Sequence, residues 1–170
     1  MFNAFKDLLS VFNAHGVKYL VVGYAVFFHA QPRVTRDLDL FKWANPENAK
    51  AAYSALAKFG IPLETVTVFD LVNPAKFFRF GREPVTVDIL SGIDGVNFEE
   101  AWARRIEGIL DPNSGLTAFF ISRDDLIQSK FAAGRLRDLA DIEAIRAVAT
   151  IQNGGEPVQT TMKPSGDFAE

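Results

Sequence analysis

With 170 residues, 48% of them hydrophobic and 23% charged, the sequence suits one globular domain with a small helical appendage. It contains no Cys, which excludes a disulfide framework, a thiolate metal site and a Cys nucleophile, and fits a reducing, cytoplasmic setting. A formal net charge of -3 supplies none of the basic surplus that holds long nucleic acid, and no apolar run approaches the length of a membrane span.

Phe2, Phe5, Leu8, Leu9 and Phe12 recur at helical spacing, and Gly16 closes that helix. Val17 to Gly23 is short, apolar and β-branched, which predicts a buried strand, with a short helix over Tyr24 to Ala30. Arg36 to Trp43 alternates polar and apolar, so it reads as a strand with two faces. Asn45-Pro46 is a cap followed by Pro at the first helical position, and the helix it opens ends at Gly60. A strand or loop is expected near Thr65 to Val68, a polar-capped segment from Asp70, and strands near Phe77 to Arg82 and over Pro84 to Leu90. A short helix from Asn97 to Ala103 and strands near Arg105 to Ile109 and Leu116 to Ile121 follow. Ser122 with Asp125 resembles a capping box. The helix it opens carries Leu126, Ile127, Phe131 and Ala132, and after a break at Gly134 a second helix places Leu139, Ile142, Ile145 and Ala149 on one face. The expected domain covers residues 1–150, with a C-terminal helical segment from about 122, and residues 151–170 have the Gly-, Pro-, Ser- and Thr-rich make-up of a flexible tail.

Three carboxylates carry the chemistry. Asp37 and Asp39 are two apart on a strand, so they share a face while Leu38 and Leu40 point into the core. Side-by-side carboxylates repel and are costly to bury unless a cation lies between them. A divalent metal with oxygen ligands, Mg²⁺ or Mn²⁺, meets that need. Asp88 sits in an alternating strand with Val85, Val87 and Ile89 on its other face, and it joins the pair if the two strands are neighbours. Gly23 ends a strand just upstream and lets a phosphate approach a helix N-terminus.

The ordered text VVGYAVFFHAQPRVTRDLDLF, then VTVDIL, then ISRDDLIQSKFAAGRLRDLADIEAI, resembles the DNA polymerase beta-type nucleotidyltransferase superfamily. It is closest to small bacterial members linked to abortive infection and toxin–antitoxin systems, and the likeness spans residues 17 to 148. The resemblance implies an α+β fold, a mixed sheet flanked by helices with further helices at the C-terminus. It implies that Asp37, Asp39 and Asp88 bind metal and form the catalytic triad. It implies nucleotide contacts at Gly23, Tyr24, Arg33, Thr35 and Lys130. Such proteins usually carry Gly or Ser where this chain has Tyr24, whose side chain crowds the phosphates while its backbone N–H remains usable.

The expected activity is transfer of a nucleoside monophosphate from an NTP to a hydroxyl on an RNA end, a protein or a small molecule. The competing expectation is a catalytically weak or inactive relative that acts as a binding or toxin–antitoxin partner, in a pair or as a homodimer. A phosphohydrolase using the same carboxylates ranks below both, because the chain has only two His. His29 reads as a packed or capping residue and His15 as a helix-terminal cation. Trp43, Trp102 and the Phe77-Phe78 pair read as core or interface anchors. Arg135, Arg137, Asp138 and Asp141 have the spacing of intrahelical ion pairs.

Overall fold

A computed structural model describes residues 3–23, 25, 29, 37–82 and 85–153. The first helix, α1 (Asn3–Ala14), buries Phe5, Leu8, Leu9 and Phe12, the stripe its spacing predicts. β1 (Tyr19–Val21) is shorter than its apolar run, and just before it the Asn48 side chain holds Lys18, accepting from its N–H at 2.7 Å and donating to its C=O at 3.0 Å. β2 (Asp37–Lys42) leads to α2 (Pro46–Phe59), whose cap Asn45 accepts from the amides of Glu47 and Asn48 and whose end is Gly60 in left-handed backbone at φ 91°. Of the helix expected over Tyr24 to Ala30, Ala25 and His29 are described, both in helical backbone, and the rest lies outside the described residues.

The segment expected to begin at Asp70 begins earlier. α3 (Val68–Val72) is capped by Thr67, which accepts from the Asp70 amide at 3.2 Å while Asp70 accepts from the Thr67 amide at 2.8 Å. Asp70 is therefore the returning arm of a capping box rather than the cap. β3 (Phe77–Arg82) and β4 (Val85–Leu90) form a hairpin, α4 (Phe98–Ala103) follows, and β5 (Ile106–Asp111) pairs with β6 (Leu116–Phe120). The chain closes with α5 (Arg123–Ala133) and α6 (Leu136–Asn153), so residues 151–153 continue a helix and the remainder of the expected tail lies outside the described residues.

The six strands form one mixed sheet in the order β3-β4-β2-β1-β6-β5. β1 is antiparallel to β2 and parallel to β6, and β2 is parallel to β4. Helices cover both faces. On one face lie Tyr19, Val21, Leu38 and Leu40, all fully buried, under α1, α2 and α3. Tyr19 OH donates to Asn13 of α1 at 2.8 Å, and the buried Lys42 ammonium donates to the Leu71 carbonyl of α3. The opposite face carries Asp37, Asp39 and Phe41, with Phe41 meeting Phe98 of α4 edge to face at 5.0 Å between centroids. This is the α+β mixed sheet with C-terminal helices expected from the residues.

Two groups of apolar residues do not go where their spacing sends them. Phe131, Ala132 and Leu139 are exposed, as is Phe77. The C-terminal helices bury Leu126, Ile142 and Ile145 together with Asp125, Ser129 and Asp138. Ser129 and Asp138 line the cavity over the acidic side of the sheet and Asp125 turns to Arg104, so the inward surface of these helices is half polar. Trp43 and Trp102 are half-buried anchors, both stacked parallel to Phe98 at 6.3 and 5.8 Å.

Candidate active site

The parallel β2/β4 ladder pairs Asp39 directly with Asp88 and Asp37 with Thr86. Adjacent strands lie about 4.8 Å apart and i, i+2 residues share a face, so the three carboxylates form one patch on one side of the sheet. Asp37 is anchored by the Thr86 hydroxyl, which donates to Oδ1 at 2.8 Å. Asp39 is half-buried, and its carboxyl is pushed up to about 6, by burial first and then by the charges of Asp88 and Asp37. Arg79 and Lys130 pull it the other way.

Gly23 stands against this patch. A Cβ at residue 23 would sit 2.3 Å from Asp39 Oδ2, so any other residue would force that carboxylate to shift. The expected role of Gly23 is contact with phosphate. It packs directly against Asp39 and lines the cavity above the acids.

Arg79 is the residue the sequence reading missed. It faces Asp88 across the β3/β4 hairpin and grips it with both arms, Nε to Oδ1 at 2.7 Å and Nη2 to Oδ2 at 2.6 Å. The signal was countable. Working outward from the two-residue connection Glu83-Pro84 pairs position 79 with position 88, and FFRF alternates as a strand should.

Over the patch lies a cavity of about 390 Å³, walled on its far side by α5 and α6. Lys130 lines it, and its ammonium is held by Asp138 at 3.3 Å and Asp141 at 2.8 Å. The two aspartates therefore reach across the helical hairpin to Lys130, where spacing within one helix suggested arginine partners. Asp138 Oδ2 is buried without a hydrogen-bond partner. The Ser122/Asp125 pair caps α5, but the Asp125 carboxylate turns to Arg104 (Nη2 to Oδ1, 2.7 Å) and to the Ser122 hydroxyl. Burial pushes that carboxyl up, and these donors outweigh it and hold it below the usual range.

A family model described as "Nucleotidyltransferase of unknown function (DUF6036)" matches residues 1–153. The chain belongs to this family. No curated protein matches it. In this nucleotidyltransferase family member Asp37, Asp39, Asp88, Gly23 and Lys130 meet around one cavity or on the sheet face beneath it. Tyr24, Arg33 and Thr35 lie outside the described residues. His29 bonds the Ile121 carbonyl through Nε2 at 2.8 Å, and burial lowers its pKa, in keeping with a packed role. His15 bonds the Val11 carbonyl at the end of α1.

The donor set suits a hard divalent cation, since it is all oxygen, and burial together with the neighbouring charges of Asp88 and Asp37 lifts Asp39. Among the described residues no three carboxylates or imidazoles gather closely enough to make a finished metal cage. Arg79 sets a positive charge directly on Asp88.

Proposed function

We propose that this family member moves a nucleoside monophosphate from an NTP to a hydroxyl acceptor with the help of Mg²⁺ or Mn²⁺. The observation that carries this reading is the register of β2 and β4, which sets Asp39 beside Asp88, with Asp37 two residues away, beneath a cavity of nucleotide size. Asp37, Asp39 and Asp88 would hold the metal. A bound divalent ion would neutralise the triphosphate and polarise the α-phosphoryl group. Asp88 accepts the proton of the acceptor hydroxyl as its oxygen bonds to the α-phosphorus and pyrophosphate leaves. Lys130, held in the cavity wall by Asp138 and Asp141, supplies a point charge for phosphate oxygens.

The test is incubation with α-labelled ATP, GTP, CTP or UTP, Mg²⁺ or Mn²⁺ and a cell extract. Label transfer that disappears in the Asp37→Ala, Asp39→Ala double variant supports the reading. No transfer, or equal transfer by the double variant, refutes it.

The bidentate hold of Arg79 on Asp88 favours a second reading, a non-catalytic relative that serves as a binding or toxin–antitoxin partner. Calorimetry with the four NTPs and Mg²⁺ separates the two, because micromolar binding of any of them opposes the second.

A further inference from the structure

A second cleft of about 570 Å³ adjoins the cavity over the carboxylates, and Gly92, Ile93 and Asp94 line both. The connecting segment leaves the C-terminal end of β4, the strand that carries Asp88. Phe41, on the floor of the second cleft, follows Asp39 by two residues on β2 and so lies on the same face, about 7 Å further along the strand.

The chemistry of this cleft differs from that of the first. Lys130 and Arg135 line the first cavity, whereas among the described residues no Lys or Arg lines the second. Its polar groups are largely committed. The Ser91 hydroxyl donates to the Leu71 carbonyl at 3.2 Å, and the Asn97 side-chain oxygen caps α4 on the amides of Glu99 and Glu100. Trp43 carries the Lys18 ammonium 4.8 Å from its ring and lies parallel to Phe98, so its ring is already engaged. What remains are two exposed carboxylates, Asp94 and Glu99, which only accept hydrogen bonds.

We propose that this second cleft is the acceptor subsite, and that it takes a small hydroxyl-bearing molecule that is uncharged or cationic, of the amino-alcohol or amino-sugar class. The proposal rests on the transferase reading above and names its acceptor. Two carboxylates, with the Lys18 ammonium already seated on the Trp43 ring, repel the phosphates of an RNA end, while they attract an amine and accept from hydroxyls. The net charge of -3 adds to that repulsion. A molecule seated there presents a hydroxyl toward Asp88. Its oxygen bonds to the α-phosphorus, the α–β phosphoanhydride bond breaks, pyrophosphate departs, and the hydroxyl proton passes to the Asp88 carboxylate.

The test follows the indole N–H resonance of Trp43 in the full chain during titration with streptamine, glucosamine and a short RNA with a free ribose end. The amines shift that resonance and the RNA does not. Glu99→Lys weakens amine binding roughly tenfold at low salt, and Ala75→Trp, which fills the cleft from its rim, abolishes it. An RNA-induced shift without an amine shift overturns the proposal, as does silence from all three probes or an amine shift that survives both variants. Paramagnetic broadening of the Gly23 amide by Mn²⁺ with NTP reports the first cavity separately. Its absence beside an intact amine shift refutes the transferase reading and spares the cleft.

Discussion

Replacing Gly23 by Ala tests the packing of the site at its tightest point. The new methyl carbon would lie 2.3 Å from Asp39 Oδ2, 2.9 Å from its Cγ and 3.2 Å from its Cβ. Ordinary contact begins near 3.4 Å, so the overlap with Oδ2 exceeds 1 Å and a carboxylate rotation or a backbone shift must relieve it. Overpacking of this kind costs about 1–3 kcal/mol. The clash is almost entirely with atoms beyond Cβ, so Asp39→Ala should remove most of it. In urea denaturation, Gly23→Ala is therefore expected to lower stability by about 1–3 kcal/mol in the native background and by a few tenths in the Asp39→Ala background, a coupling of at least about 1 kcal/mol. Equal losses in both backgrounds would show that Gly23 is required for its backbone and not for the space it leaves to Asp39.

Three further outcomes are expected. Burial, with the charges of Asp88 and Asp37, pushes the Asp39 carboxyl from 3.8 up to about 6, so the folded state should bind the extra proton between those values. The stability of the metal-free protein should fall as pH rises from about 4 to 6, and Asp39→Asn should flatten that slope in denaturation series across the window. Lys42 is fully buried and burial brings its pKa from 10.5 down to about 8, so between those values only the unfolded chain holds the proton. Stability should rise with pH across that window, by at most about 3 kcal/mol relative to Lys42→Met, and identical pH profiles for the two proteins would refute the buried placement. Arg79→Ala removes the cation from Asp88 beside Asp39 and should destabilise the metal-free protein, read as a lower Tm. Millimolar Mg²⁺ should restore part of the loss, read as a thermal shift larger than in the native protein.

The acidic patch was legible because strand alternation is a local property. RDLDLFKW and PVTVDIL each show which residues share a face, and the structure needs only to set the two strands side by side. Arg79 went unread for want of one step of hairpin counting. The remaining differences arise from contacts distant in the chain. Nothing local marks Asn48 as the side chain that holds the Lys18 backbone ahead of β1. Nor does anything local show that Lys42 is buried against a helix carbonyl. Phe131 and Leu139 have core-like spacing, yet burial went to Ser129 and Asp138 on the wall of the cavity over the acids and to Asp125 against Arg104. Amphipathic periodicity assumes an apolar neighbour, and here the neighbour is a polar cavity.

Because Asp39 and Asp88 come from two interior strands running the same way, their mutual placement has the mechanical tolerance of the backbone ladder rather than that of a surface loop. A slip of one position along β2 would put Leu38 or Leu40 opposite Asp88 and turn the acids onto the side that α1 and α2 seal. The same misalignment that ruins the chemistry would also drive charge into the apolar layer, so a chain that reaches its native pairing at all has already assembled the two facing acids.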